Sequence, residues 1–232
     1  MRNMIISRKL TNGWPLLAST AAALVLMSAG ILLYRPNIHG LHAVLRATAR
    51  TSLVFFLTAF TASALWKLWP GAWSRWQLSN RRYLGLTFAT SHTIHLMAIV
   101  SIALAEPRQF REDNDTFSLA IGALAYAFII AMAATSFDRS ANWLGARSWK
   151  ILHTVGAYYI WLTFLIVLVS FAFDAPRYWF GVLILVAALF LRALARWSSP
   201  HRPMGPLPLA SGCNPTADSA RGESSGTVVA AK

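Results

Sequence analysis

Three histidines fall in long stretches of the sequence that contain no acid and no other base. His92 and His95 lie three residues apart in one apolar stretch, and His153 lies near the start of another. Two residues at this spacing share one face of a helix, about one turn apart. Neutral imidazole is a ligand for haem iron and for other transition metals, and it can also relay protons or hydrogen-bond between helices. The residues alone leave a haem site, a transition-metal or proton pathway, and purely structural histidines open.

The elements that must position these histidines are long apolar helices. Of the 232 residues, 56% are hydrophobic and 12% are charged, whereas a typical soluble domain has roughly 25% charged residues. A helix needs about 20 apolar residues to cross a membrane. The sequence therefore predicts an all-α membrane protein, a six-transmembrane-helix bundle with His92 and His95 in the third block and His153 in the fifth. The six blocks free of Asp, Glu, Lys and Arg are 14–34, 51–66, 84–105, 117–137, 151–173 and 178–191.

The second and sixth blocks are shorter than a membrane span. Lys67 and Arg192 follow them directly, and such long side chains can reach back to the membrane surface while the helix continues. We therefore expect these two helices to extend to about Trp69 and Leu194.

Basic residues alternate between rich and poor connecting segments. The amino terminus, segments 67–83 and 138–150 and the tail from Arg192 carry 15 Lys and Arg residues, and segments 35–50, 106–116 and 174–177 carry six. Loops rich in Lys and Arg face the cytoplasm. Both termini are therefore predicted to be cytoplasmic. The basic residues form no continuous stripe, so nucleic acid is not an expected partner.

The single cysteine limits the cofactor chemistry. One cysteine, Cys213, excludes an internal disulfide, a Cys-x-x-Cys redox pair, a multi-cysteine iron–sulfur or zinc site and covalent attachment of haem. Any redox cofactor must therefore be held without a covalent bond.

Two regions are predicted from composition. Residues 1–197 form the membrane domain, and residues 198–232 form a disordered, Pro/Gly/Ser-rich cytoplasmic tail that is too short for a flavin or nicotinamide domain. The first block, preceded by basic residues, has an alternative interpretation as a secretory signal.

The stretch RRYLGL at 81–86, the pair His95-Leu96 and the pattern W-x-x-L-H at 149–153 resemble the ferric reductase-like transmembrane domain family. The likeness is greatest to the haem-binding membrane subunit of the bacterial periplasmic methionine sulfoxide reductase system. It covers roughly residues 45–195, and six spans with histidines on the third and fifth agree with it.

The resemblance implies a b-type haem between the third and fifth helices, with His95 and His153 as the axial ligands of the iron. It implies a membrane cytochrome that carries electrons across the bacterial inner membrane, as the electron-transfer component of an oxidoreductase system. The electron donor would be a quinol or a flavin reductase, the acceptor would be a separate periplasmic protein, and membrane lipid would surround the bundle.

The sequence departs from the family in three respects. His92 matches no family position. The second histidine of the family's fifth helix falls near Ile166, so we expect one haem rather than two. His95 lies 11 residues beyond Leu84 but His153 only three beyond Lys150, and this difference in depth makes His92 the alternative partner of His153. The alternative function is a haem-free membrane scaffold or assembly protein that retains the fold.

Basic side chains near the block ends offer a second kind of contact to such a cofactor. They could pair with the propionates of a haem, although positive-inside placement explains the same positions without a ligand. The residues concerned are Arg46, Arg50, Arg81, Arg82 and Arg147.

Overall fold

The structure is a computed structural model that describes residues 11–198, and residues 1–10 and 199–232 lie outside the described range. Most of the predicted tail therefore lies outside it too. The described residues fold into helices, with a short 3-10 turn at Pro176–Tyr178 before the last one. These helices are α1 Trp14–Tyr34, α2 Ile38–Leu68, α3 Ala72–Ser79, α4 Arg81–Ala105, α5 Pro107–Asp113, α6 Thr116–Ala134, α7 Asp138–Leu144, α8 Ala146–Asp174 and α9 Trp179–Trp197.

Six of the described helices are long and apolar enough to cross a membrane: α1, α2, α4, α6, α8 and α9. The predicted all-α six-helix membrane bundle is confirmed, and α1 coincides with the first predicted block. His92 and His95 lie on α4 and His153 lies on α8.

The largest departure from the predicted blocks is at the start of α2. The segment 35–50, expected to be a connection, is helical from Ile38 onward, so that α2 is 31 residues long. The second predicted block begins after Arg50 because the blocks were defined as free of charged residues. Arginine is a good helix former, so the helix extends through Arg50. Asn37 caps the helix by accepting a hydrogen bond from the backbone N–H of Gly40 at 3.2 Å.

Three of the expected loops contain short helices, and α3 ties several spans together. Gln77 on α3 is buried and donates to the carbonyl oxygen of Thr58 on α2 at 2.7 Å. Asn80, also buried, accepts a hydrogen bond from the backbone N–H of Gly13 at 2.9 Å. Gln77 on α3 and Asn80 directly after it therefore join the start of α1 to the second half of α2.

The span ends are tied together at one end of the bundle. Trp14 stacks on Phe137 with ring centroids 6.0 Å apart and meets Tyr83 edge-on at 5.5 Å. Arg82 forms an ion pair with Asp138, with Nη1 and Oδ1 2.8 Å apart. We call this end, at which α1, α4 and α8 begin and α2, α6 and α9 end, the basic end.

The interior holds two different kinds of packing. A cluster of aromatic and aliphatic side chains fills the centre between α2, α4, α6, α8 and α9. By contrast, α2 and α4 meet through hydroxyl groups, because Ser91 Oγ lies 2.9 Å from Thr51 Oγ1 and 3.0 Å from Ser52 Oγ. Small side chains of this kind let two helix backbones approach closely in a membrane. The cluster consists of Phe56, Phe60, Phe88, Ile129, Ile160, Trp161, Leu185 and Ala188.

The contact between α6 and α8 depends on a glycine. A Cβ atom on Gly156 would lie 2.8 Å from Sδ of Met132 and 3.2 Å from Cδ1 of Phe128. The absence of a side chain at Gly156 therefore allows α6 to lie against α8 at the level of His153.

We predict that Gly156→Val destabilises the bundle, because an added side chain must displace Met132 and Phe128. Overpacking of this kind costs about 1–3 kcal/mol. Gly122→Val on α6 is the matched control, because nothing lies within 4 Å of a Cβ atom at that position. Thermal unfolding in detergent should show a lower midpoint for Gly156→Val than for Gly122→Val, and equal midpoints would contradict the close approach.

Candidate functional site

The structure brings two of the three predicted histidines together. The imidazole rings of His92 and His95 are stacked, with centroids 5.2 Å apart and an angle of 24° between their planes. Both are partly buried on the inner side of α4. The spacing of three residues therefore has the consequence that the sequence predicts, which is two imidazoles on one helix face.

The ring of His95 is held by α2. Its Nδ1 lies 3.1 Å from the carbonyl oxygen of Leu45 and 3.0 Å from Oγ1 of Thr48. A carbonyl oxygen only accepts hydrogen bonds, and Thr48 Oγ1 already donates to the carbonyl oxygen of Val44 at 2.7 Å. We therefore assign the proton of the neutral ring to Nδ1. This tautomer leaves the lone pair on Nε2, which is the arrangement that prepares a histidine to bind a metal.

The ring of His92 lies among aromatic side chains. Its centroid is 5.0 Å from that of Phe88, 5.4 Å from that of Tyr126 and 5.7 Å from that of Phe164. Within the described residues, the buried Nδ1 atom of His92 has no hydrogen-bond partner. An unsatisfied buried polar atom costs about 1–3 kcal/mol, so this atom is a candidate for an interaction with a bound group.

His153 is held separately, by α6 and by its own helix. Its Nε2 lies 3.1 Å from Oγ1 of Thr135, which itself donates to the carbonyl oxygen of Ala131 at 2.7 Å. The ring stacks on Trp149 with centroids 4.2 Å apart, and Trp149 Nε1 donates to the carbonyl oxygen of Thr135 at 2.9 Å. These contacts orient His153 toward the end of α6.

The contacts of α4 with α8 fix the relative depth of the histidines. His92 touches Phe164, which lies 11 residues after His153, or about 16 Å further along α8 at 1.5 Å per residue. His92 also contacts Tyr126 on α6, whereas His153 contacts Thr135, nine residues later at the end of the same helix. Helices α4 and α8 run parallel in this register, so that His95 is level with Val167. The structure does not bring His153 to His92 and His95.

Two of the arginines named as possible partners of a haem propionate have contacts with other side chains. Arg82 is paired with Asp138, and Arg81 donates through Nη1 to Oγ of Ser63 at 3.0 Å. Arg46 and Arg50 lie within α2, in the segment that the sequence analysis assigns to a connection.

Sequence reasoning missed the residues that hold the histidines. Thr48 and Leu45 lie in the segment assigned to a connection, and Tyr126 and Phe164 carry no pattern that distinguishes them from other core aromatics. The run of hydroxyl residues at Thr48, Thr51 and Ser52 is a signal that could have paired α2 with Ser91.

At the histidine pair the structure offers two imidazoles as possible metal ligands. No group of three or more His, Cys, Asp and Glu residues in the range 11–198 is arranged to hold a metal ion. A haem brings its own four nitrogen ligands and needs only one or two from the protein.

No protein-family model, curated protein or solved structure matches this chain.

We predict that Thr48 stabilises the bundle through His95. Removing a hydrogen bond between two membrane helices typically costs about 0.6 kcal/mol, rising to nearly 2 kcal/mol. A double-mutant cycle of Thr48→Val and His95→Ala, measured by unfolding in detergent, should therefore give a coupling free energy of about 0.5–1.5 kcal/mol.

Thr93 supplies the matched control for this cycle. It is exposed on α4, and its hydroxyl group donates only to the carbonyl oxygen of Ala89 in the same helix among the described residues. Thr93→Val should show no coupling with His95→Ala. A coupling as large as that of Thr48 would mean that the cycle measures helix propensity instead of the contact.

Proposed function

We propose that the protein is a b-type haem membrane cytochrome that carries electrons across the membrane to a separate acceptor. The observation that supports this most strongly is the stacked pair of His92 and His95 within the bundle. Nδ1 of His95 faces a carbonyl oxygen, and Nδ1 of His92 is buried without a hydrogen-bond partner among residues 11–198. An ionisable side chain at membrane depth favours a functional role. The resemblance at 81–86, 95 and 149–153 favours haem.

The pair on α4 is the proposed source of the iron ligand. His95 presents Nε2 as its lone-pair nitrogen, and the hydrogen bonds to Leu45 and Thr48 restrain the ring in that orientation. Bound haem would supply reversible one-electron chemistry between ferric and ferrous iron. The surrounding aromatic rings, including Phe88 and Phe164, would exclude water from it.

His153 is not proposed to share an iron with the pair on α4. The resemblance matches it to a family ligand, but it lies about 16 Å along α8 from the residue that contacts His92. The resemblance implies pairing of His95 with His153, whereas we propose ligation from α4, and the spectrum of a His153 variant decides between the two.

The proposed setting is the bacterial inner membrane, with both termini in the cytoplasm. The basic end, which carries the Lys- and Arg-rich segments 67–83 and 138–150, would face the cytoplasm by the positive-inside rule. The electron donor would be a quinol or a flavin reductase, and the acceptor a periplasmic protein near the opposite end. The protein would therefore act as one component of an oxidoreductase system.

A haem-free scaffold or assembly protein is the second candidate. The observation that favours it is that α8 presents Phe164 and Val167 at the level of the histidine pair, and neither can bind iron. Ligation from α8 at this depth is therefore not available.

We predict that the protein purified in detergent carries a non-covalently bound b-type haem. Reduction with dithionite should give the absorbance bands of a ferrous b-type cytochrome, and extraction with acidified acetone should remove them because no cysteine attaches the haem. Colourless protein, from cells that are supplied with haem, would favour the scaffold.

Single alanine variants assign the ligand. His95→Ala should lose most of the bound haem, His92→Ala should lower or shift the spectrum, and His153→Ala should keep it. His39→Ala is the control because His39 is exposed at the start of α2. Loss of the spectrum in His153→Ala alone would contradict the assignment to α4.

The orientation has its own test, which uses the single cysteine. Cys213 should react with a membrane-impermeant maleimide in inverted membrane vesicles and not in right-side-out vesicles. Asn114→Cys in a Cys213→Ser background should react in the opposite way, because Asn114 follows α5 at the other end of the bundle. The reverse pattern would place the termini outside.

A further inference from the structure

Two arginines on α9 meet at the basic end of the bundle. Arg192 donates through Nη1 to the carbonyl oxygen of Phe60 on α2, and its Cζ lies 4.2 Å from the centroid of the Phe60 ring. Arg196, about one turn later, donates through Nη2 to the hydroxyl oxygen of Tyr158 on α8 at 3.0 Å. The same oxygen lies 3.4 Å from Nε of Arg192. The Tyr158 hydroxyl therefore holds two guanidinium groups side by side.

A third arginine approaches this pair from α4. Arg81 donates to Oγ of Ser63 on α2 at 3.0 Å, and Ser63 lies three residues after Phe60, the residue that Arg192 contacts. The side chain of Arg192 turns inward, toward α2 and α8. From the sequence we expected it to reach back to the membrane surface instead. The resulting group, which we call the arginine cluster, consists of Arg81 from α4 and Arg192 and Arg196 from α9, with contacts to α2 and α8.

The arginine cluster has no carboxylate partner within residues 11–198. The ion pair in that range joins Arg82 to Asp138. The other acids in the range lie on or beside α5 and at the end of α8, at the opposite end of the bundle. Three positive charges gathered without a counter-charge repel one another, and a bound anion would remove that repulsion.

The arginine cluster also retains hydrogen-bond donors. A guanidinium group has five N–H donors, and the hydrogen bonds formed with described residues use one donor of Arg81, one of Arg196 and two of Arg192. Phosphate oxygens match the fork of N–H groups on arginine and accept several hydrogen bonds at once.

The position of the arginine cluster points to lipid as the source of the phosphate. It lies near the ends of membrane spans, and the neighbouring side chains on the outer surface of α9 are apolar and exposed, with Phe190 at 67% and Trp197 at 86%. Such a surface contacts acyl chains. Basic sites between spans on the cytoplasmic side bind anionic headgroups.

We propose that Arg81, Arg192 and Arg196 bind the phosphate of an anionic phospholipid, with Tyr158 positioning the two arginines of α9. The site is separate from the histidine pair and does not depend on haem. This proposal goes beyond electron transfer, because it gives the protein a specific binding site for anionic lipid at one end of the bundle.

The test measures lipid binding by delipidated protein in a neutral detergent. Native mass spectrometry should show tighter binding of phosphatidylglycerol than of phosphatidylcholine. Arg196→Gln and Arg81→Gln should each weaken the binding of phosphatidylglycerol about fivefold, the usual contribution of one basic side chain near a membrane surface. Arg177→Gln, which alters an arginine at the opposite end, is the matched control and should leave binding unchanged.

A Tyr158→Phe variant and a competition with inorganic phosphate complete the test of lipid binding. Tyr158→Phe removes the shared acceptor without removing charge, and it should weaken the preference for phosphatidylglycerol less than Arg196→Gln does. Inorganic phosphate should not displace the lipid at equal concentration, whereas equal displacement would identify a free phosphate as the ligand and overturn the lipid assignment.

Several outcomes would overturn the proposal. One is equal binding of phosphatidylglycerol and phosphatidylcholine by the parent protein. Another is an equal loss of binding in Arg196→Gln and Arg177→Gln. If instead Arg196→Gln or Arg81→Gln lowers the haem content while lipid binding stays the same, the arginine cluster serves a haem carboxylate and not a lipid. Retained binding by colourless protein would support the lipid site even if the haem proposal fails.

Discussion

The structure depends on how α2 and α4 approach one another. In a membrane interior, water is not available to satisfy polar groups, so hydroxyl groups there must bond within the protein. Ser91 on α4 lies in a set of contacts with Thr51 and Ser52, and it also donates to the carbonyl oxygen of Thr48 at 3.2 Å. These small side chains allow the backbones to come close, and that closeness brings Leu45 and Thr48 within reach of His95.

The histidines differ because their partners come from different helices. His95 faces α2 and is restrained by a carbonyl oxygen, whereas His153 faces α6 and is restrained by Thr135. His92 precedes both in sequence and belongs to the aromatic interior, against Phe88 and Phe164. Two of the three histidines are thus hydrogen-bonded, whereas His92 has a buried nitrogen with no partner among the described residues. A bound group would lower the free energy most at that nitrogen.

The six spans were predictable from the sequence because charge-free apolar length is a property of each helix alone. The face shared by His92 and His95 was predictable for the same reason, since it needs only the helical repeat. The start of α2 was not predictable from the length of the charge-free stretch. Arg46 and Arg50 interrupt that stretch, but the helix continues through them. The partners of His95 were not predictable either, because they depend on the register between helices, which no single segment encodes.

The position of Arg81, in the arginine cluster, along α4 also bears on the depth of the histidine pair in the membrane. Arg81 begins α4 at the basic end, and His92 lies 11 residues further along that helix, about 16 Å from Arg81. Half of a hydrocarbon core of about 30 Å is nearly the same distance. If the arginine cluster lies at a headgroup surface, the histidine pair lies close to the membrane midplane. A single iron there would be about equally far from both surfaces, so the depth of a lipid contact at the basic end would set how far electrons must travel to either partner.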